Sequence, residues 1–286
     1  MAPANPTTHE LHLNPSVTDA RLNVYDLSRD RLVALMAELS EPAYRVNQVL
    51  HWLYKELVHT FDEMTNLPSS LRAKLSERLK IGSAELITQK VSSDSWTRKV
   101  LLKLRDGNTV EAVLMLYYDR ATVCISSQVG CAMGCTFCAT GQMGFTRNLS
   151  AGEIVEQVIR FNRWLREHPH KPEREHGIRY TGRPSSTSAY LPKSNTKEEQ
   201  EDSWFAPHET QPATIAPITA ITNIVFMGMG EPLVNYNHLW QAIRTINSPQ
   251  GLGLGARRMT VSTVGIVPGI RRFAAEDLSI NLAVSL

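Results

Sequence analysis

The sequence lacks a long apolar run, a signal-like start and a strong excess of charge of either sign. No stretch approaches the ~18 consecutive apolar residues that a membrane span needs, so we expect no membrane association. The first residues show no basic start followed by an apolar segment, so we expect no signal peptide. The formal net charge is only +2 at pH 7, which permits a nucleic-acid partner without favouring one.

Cysteine is also scarce, because the 286 residues contain only four, all between Ala121 and Phe145. Without a signal peptide we expect a cytoplasmic chain. In that compartment thiols stay reduced, and clustered cysteines more often serve metals or catalysis than disulfides. With 42% apolar and 20% charged residues, the chain is otherwise typical of a globular protein that buries a substantial core.

The first part of the chain is predicted to contain a polar leader followed by helices. Residues 1–22 are polar and are predicted to be a disordered leader. Residues 23–82 are predicted to form a small helical accessory domain. Its first helix is capped by Ser28, its second begins at Pro42 and its third is entered through Pro68.

Strand patterns dominate the segment 83–286, which is predicted to be a second domain. Two apolar runs flank Asp106-Gly107, and this turn predicts a β-hairpin. Apolar strands then alternate with helices, which predicts βα units and a parallel sheet. Within this domain, residues 169–218 are rich in proline and lack periodicity, so we predict a disordered insertion there.

Three of the cysteines, Cys131, Cys135 and Cys138, form a C-x3-C-x2-C pattern. Four thiolates would saturate a four-iron cluster, whereas three leave one iron open to another ligand. A zinc site with Cys124 as fourth ligand is an alternative, although Cys124 lies upstream in an extended run rather than in a C-x2-C pair. A disulfide fits a reducing compartment poorly, and a thiol in a strand can also be a buried apolar side chain.

The stretch "RATVCISSQVGCAMGCTFCATGQMGF" resembles the radical S-adenosylmethionine (SAM) superfamily, because the cysteine pattern follows the first strand of a βα series. Together with "FMGMGEPLVNY", "RRMTVSTVGIVPGI" and "NLAVSL", it is similar to the bacterial dual-specificity methyltransferases of 23S ribosomal RNA and transfer RNA. Those enzymes modify carbon 2 of adenine. The resemblance runs from about Leu27 to Leu286 and is interrupted only by the insertion.

The resemblance implies an α/β fold. We expect a partial radical-SAM (β/α) barrel with parallel strands, preceded by the small helical domain and the β-hairpin. It also implies a [4Fe-4S] cluster bound by Cys131, Cys135 and Cys138, with SAM chelated by the open iron. The positions that match SAM contacts of the family are Gly230, Glu231, Ser262, Ser285 and Leu286.

Two further positions match catalytic residues of the family. Cys124 corresponds to a cysteine that helps remove the carbon-2 proton and then frees the product by forming a disulfide. Glu111, thirteen residues earlier, corresponds to a proton acceptor. The implied partners are 23S rRNA and tRNA, together with an electron donor such as a flavodoxin-type protein.

The sequence departs from the family pattern because no cysteine follows Cys138, although the family carries the transferred methyl group on a cysteine near the C-terminus. We therefore expect the chain to lack the C-terminal part of such an enzyme and to be inactive alone. Two alternatives stay open from the residues. One is a relative that methylates carbon 8 of adenine, and the other is a zinc-stabilised nucleic-acid-binding protein.

Overall fold

The computed structural model of the chain describes residues 19–171 and 216–285. The expectations for residues 1–18, for most of the predicted insertion and for Leu286 lie outside the described residues. The features below belong to one unit, made of the described residues up to His170 and from Ile218 onward. In the described part of the chain, no helix combines the length and apolar character that crossing a membrane requires.

The first elements are helices whose inner faces are apolar. Their bounds, with two short strands that pair in parallel, are β1 Leu22–Asn23, α1 Arg29–Glu38, α2 Arg45–His51, α3 Ser69–Arg78 and β2 Leu79–Lys80. The Ser28 hydroxyl accepts a hydrogen bond from the backbone N–H of Arg31 at 3.3 Å, so the predicted cap of α1 is confirmed. The pattern predicts one helix from Pro42 to Leu57. Instead, α2 passes into a π-helical turn that ends at Leu57 with φ +58°.

A seven-stranded sheet follows. Its strands are β3 Glu85–Val91, β4 Thr97–Lys103, β5 Thr109–Leu116, β6 Ala121–Cys124, β9 Asn223–Phe226, β10 Met259–Thr263 and β11 Asn281–Val284. The strand order is β11-β10-β9-β6-β5-β4-β3. The pairs from β11 to β6 are parallel and those from β6 to β3 are antiparallel. The predicted α/β class, parallel sheet and Asp106-Gly107 hairpin are confirmed. Over the described residues the sheet stays open and does not close into a barrel.

The remaining elements connect the parallel strands. They are β7 Gln128–Gly130, α4 Ala139–Gln142, β8 Phe145–Asn148, α5 Ala151–Glu167, α6 Tyr236–Asn247 and α7 Val267–Ala274. One face of the sheet shares a continuous apolar core with the N-terminal helices and with α5 and α6. Burial of this apolar area is the main stabilising term of the fold. The core includes Val123, Ile224, Phe226, Val261, Ile154 and Leu239.

The opposite face of the sheet, called the open face below, is less buried. Along β5, half-buried residues alternate with fully buried ones, which places Glu111 and Val113 on the open face. Directly paired residues of neighbouring strands share a face. The strand pairings therefore extend the open face to Lys99, Cys124, Val225, Thr260, Ser262 and Ala283.

Arg147 in β8 joins the hairpin to the first turn of α5. Its Nε lies 2.5 Å from Asp106 Oδ2, and its two terminal nitrogens lie 2.8 Å from the two oxygens of Glu153. Glu153 also accepts from the backbone N–H of Ser150, within a capping box that starts α5. The three charged side chains are only 31%, 24% and 10% exposed, so this network is largely withdrawn from water.

We expect Arg147→Met to lower the free energy of unfolding by about 2–3 kcal/mol at pH 7, because it leaves two largely buried carboxylates unpaired. Arg120→Met is the matched control, since its ion pair with Asp119 is exposed and is worth at most about 1 kcal/mol. Urea unfolding of both variants measures the difference. Equal losses of unfolding free energy in the two variants would contradict the conclusion that the Arg147 ion pairs are withdrawn from water.

The difference between the parent chain and Arg147→Met is also expected to depend on pH. Burial acts to raise the pKa of Asp106, but hydrogen bonds from Arg147 and Asn108 lower it overall. A carboxyl with a lowered pKa stabilises the fold above its unfolded pKa, and this contribution is lost as the pH falls. The loss of unfolding free energy caused by Arg147→Met should therefore be smaller near pH 3 than at pH 7. A larger loss near pH 3 would contradict the lowered pKa of Asp106.

Candidate functional site

The carboxyl ends of β6, β9 and β10 lie together at one edge of the sheet. Beyond β6, the backbone N–H groups of Ser127 and Gln128 donate to Met229 O at 2.8 and 3.1 Å. The segment that continues from Gln128 is the cysteine loop, residues 131–144, and Met229 belongs to the Gly-Glu-Pro loop, residues 227–235. Ligands of open parallel sheets bind at this edge.

The cysteine loop is closed at its base by two glycines. The Cys131 N–H donates to Gly144 O at 2.8 Å. Gly130 has φ +72°, and a Cβ there would lie 1.9 Å from Gly144 O, so only glycine fits. In the structure, Gly130 approaches Gly144, and a Cβ at Gly141 would lie 3.0 Å from Cys135 N.

The thiols of Cys131, Cys135 and Cys138 are free and half-buried, as is that of Cys124. Among the described residues, no three His, Cys, Asp or Glu side chains converge as ligands of one metal ion. The thiolates of an iron–sulfur cluster bind different irons, so they need not converge on a single point as zinc ligands do. Three free thiols in one short loop, without a carboxylate among them, are a donor set that suits such a cluster.

Gln128 connects the two loops, although sequence reasoning did not single it out. Its side chain is buried, with Oε1 accepting from the Glu231 N–H at 2.8 Å and Nε2 donating to Asn148 Oδ1 at 2.7 Å. Gly230 has φ +102°, and a Cβ there would lie 2.5 Å from the Gln128 Cβ. Gly230 thus allows close approach to Gln128. A lone glutamine in an apolar strand gives no sequence signal of this role.

The Glu231 carboxylate is 3% exposed and is fixed between two backbone segments. Oε1 accepts from the Leu233 N–H at 3.1 Å, and Oε2 accepts from the Val264 N–H at 2.9 Å. It therefore ties the Gly-Glu-Pro loop to the loop that follows β10. A carboxylate has about four acceptor positions, so Glu231 can still accept hydrogen bonds from a bound ammonium group.

The buried side-chain amide of Asn235 links two further segments at the same edge of the sheet. Asn235 Nδ2 donates to Ser127 O and to Leu149 O, both at 2.8 Å, and Asn235 is buried. Gln157 on α5 likewise spans Ser126, accepting from its N–H and donating to its carbonyl. These amides provide hydrogen-bond partners for backbone groups of Ser126, Ser127 and Leu149 at this edge.

Glu111 and Cys124 lie on neighbouring strands and on the same open face. Cys124 is directly opposite Val113, two residues from Glu111. Glu111 Oε1 forms an ion pair with Lys99 Nζ at 2.8 Å. Burial raises the pKa of the Cys124 thiol, and a hydrogen bond with the Met227 backbone offsets this only in part. The thiol is therefore protonated at neutral pH.

Two of the predicted SAM positions, Ser262 and Ser285, reach the same edge from the neighbouring strands β10 and β11. Ser262 near the end of β10 lies directly opposite Ala283 of β11. Ser285 follows β11, and its N–H donates to Thr263 O at 2.9 Å. Together with Gly230 and Glu231, these residues surround the carboxyl ends of three parallel strands. Leu286 lies outside the described residues.

Comparisons with known proteins agree with this architecture. A family model described as the ribosomal RNA large subunit methyltransferase N-terminal domain matches residues 22–81. The chain is 44% identical over 273 residues to a probable dual-specificity RNA methyltransferase RlmN from Roseiflexus castenholzii, covering 94% of this chain and 64% of that protein. It is 40% identical over 269 residues to the dual-specificity RNA methyltransferase RlmN 1 of Myxococcus xanthus, covering 94% of this chain and 61% of that protein.

A solved structure is similar as well. The crystal structure of a radical SAM methyltransferase from Sphaerobacter thermophilus matches with a TM-score of 0.72 and 39% identity, covering 93% of this chain and 63% of that chain. The chain thus spans a little less than two thirds of the length of these relatives, since the shares are 61–64%. The similarity to these dual-specificity RNA methyltransferases extends over more than nine tenths of this chain's own length, at 40–44% identity.

Proposed function

We propose that the chain belongs to a radical-SAM methyltransferase that modifies carbon 2 of adenine in 23S rRNA and tRNA. The observation that carries the proposal is one loop with three free thiols, held by buried hydrogen bonds beside the Gly-Glu-Pro loop. The names of the relatives support an RNA methyltransferase. The choice of carbon 2, the cytoplasmic location and a flavodoxin-type electron donor rest on the sequence resemblance.

In this proposal Cys131, Cys135 and Cys138 hold a four-iron cluster. When bound, the cluster would supply the open iron and the electron for cleavage of SAM. Glu231, fixed by two backbone N–H groups, would accept hydrogen bonds from the SAM ammonium. Ser262 and Ser285 would contact SAM from the neighbouring strand ends, and Leu286 would continue that surface.

Cys124 and Glu111 would handle the proton of the target base. Cys124 holds its proton on Sγ at neutral pH, because burial disfavours the thiolate. Glu111 offers carboxylate oxygens on the same open face, with Oε1 at present paired to Lys99. A base placed over this face would therefore meet a proton acceptor and a neutral thiol on adjacent strands.

The cluster assignment predicts that Ala substitution of Cys131, Cys135 or Cys138 abolishes cluster assembly, whereas Cys124→Ala retains it. Anaerobic reconstitution with iron and sulfide, followed by iron and sulfide analysis, measures assembly. The assembled parent chain should also convert SAM to 5′-deoxyadenosine when a reductant is added. A colourless protein with stoichiometric zinc would overturn the proposal. Because this chain is expected to be inactive alone, mass spectrometry of nucleosides made by a full-length version would distinguish carbon 2 from carbon 8.

Gln128→Met is predicted to leave the cluster content unchanged and to weaken SAM binding about tenfold, because it keeps the side-chain volume and removes both hydrogen bonds. Equilibrium binding of SAM to the reconstituted protein measures the change. Gln250→Met is the control, since Gln250 is exposed and its side chain accepts a hydrogen bond from Arg29 rather than from either loop. Unchanged SAM affinity in Gln128→Met would remove Gln128 from the site.

The raised pKa of Cys124 predicts slow alkylation in the folded state. A variant with Cys131, Cys135 and Cys138 changed to Ser leaves Cys124 as the only thiol. Its rate of reaction with iodoacetamide should rise with pH at a midpoint above that of the same variant unfolded in urea. A midpoint at or below the unfolded value would mean that Cys124 is not shielded as the structure indicates.

A further inference from the structure

The open face continues beyond Glu111 onto β4 and β3, the last two strands at that side of the sheet, where it carries three lysines. Lys99 and Lys103 lie on β4, and Lys90 lies on β3 directly opposite Lys99. All three side chains are exposed. Lys99 and Lys103 alternate with the buried Val100 and Leu102, which assigns them to the open face. Lys90 shares this face because it is paired with Lys99. These three residues are called the lysine face below.

The direct pairing of Lys90 with Lys99 is expected to destabilise the sheet. Like charges directly opposite each other on antiparallel strands are destabilising. Local departures from the pattern that best stabilises a fold occur mainly at functional sites. The lysine face therefore calls for a functional explanation, and two adjacent cations on one face suit an anion with several charges.

Two carboxylates on this face, those of Glu85 and Glu111, lie near the lysines, and the ion pair that Glu111 forms is weak. Glu85 lies opposite Lys103, and Glu111 pairs with Lys99. The side chains of Lys99 and Glu111 are 46% and 44% exposed, and ion pairs this exposed contribute little. Lys99 can therefore exchange Glu111 for another anion at small cost.

We propose that Lys90, Lys99 and Lys103 bind the phosphates of the RNA strand that places its target base over Glu111 and Cys124. This inference rests on the proposed function. Neighbouring strands lie about 4.8 Å apart, so β4 and β3 lie roughly 5 and 10 Å from the strand of Glu111. That separation suits phosphates of the nucleotides that flank the base. Such contacts position an RNA without reading its sequence.

The test is the salt dependence of RNA binding, measured by fluorescence anisotropy with the reconstituted chain and an unmodified tRNA transcript. Lys90→Gln, Lys99→Gln and Lys103→Gln should each weaken binding and reduce the slope of log K against log salt by about 1. Glu85→Gln should have the opposite effect on affinity, because it removes a negative charge from the same face.

Arg98→Gln is the matched control, since Arg98 lies on β4 between Lys99 and Thr97 and faces the other side, over the ring of Trp164. It should leave the salt slope unchanged. Lys90→Gln should keep or raise the free energy of unfolding, which separates weaker RNA binding from misfolding.

Unchanged slopes in all three lysine variants, or an equal change in Arg98→Gln, would overturn the inference and leave the proposed function standing. A parent chain that binds no RNA at any salt concentration would also overturn it. The proposed cluster and SAM chemistry would then still be decided by the iron analysis and by formation of 5′-deoxyadenosine, neither of which involves RNA.

Discussion

The buried hydrogen bond between the Gln128 side chain and the Glu231 backbone is the constraint on which the rest of the site depends. Through it, the strand that leads into the cysteine loop is fixed to the loop that carries the predicted SAM ligand. Gly230 makes the contact possible, since any Cβ there would collide with Gln128. Glu231 then extends the link to the strand end at Val264. Three strand ends are thereby held in one arrangement by a few polar side chains inside an apolar surrounding, where hydrogen bonds must be satisfied.

The two faces of the sheet have different roles: one forms part of the core and the other presents the candidate functional residues. One face is buried against helices and contributes the apolar core, while the open face presents Lys99, Glu111, Cys124 and Ser262. The period-2 alternation of strands makes this possible, because the side chains of adjacent residues point to opposite faces of the sheet. The antiparallel hairpin lengthens the open face beyond the parallel strands. It thus provides further exposed surface next to the residues proposed for proton transfer.

Much of the fold could be predicted because its signals are local. Ser28 and the Asp106-Gly107 turn act within a few residues of themselves, and their predicted roles are confirmed. The continuous helix from Pro42 to Leu57 was wrong in detail, since Leu57 ends a π-helical turn in a left-handed conformation. The predicted domain boundaries and site assignments stay predictions. Gln128, Asn235 and Arg147 could not be found from the sequence, because each has at least one partner distant in the chain and leaves no periodic pattern.

The sequence by itself determined the donor chemistry and the class of fold. The spacing of Cys131, Cys135 and Cys138 confines three thiols to one loop, and the alternation of apolar strands and helices specifies a parallel sheet. Only the tertiary structure decided which distant segments meet. Strand register places Cys124 beside the strand of Glu111 and sets Lys90 against Lys99, and packing brings Gly230 onto Gln128. The physical reason is that register and loop contact depend on side chains from both partners, and no single segment encodes its partner's position.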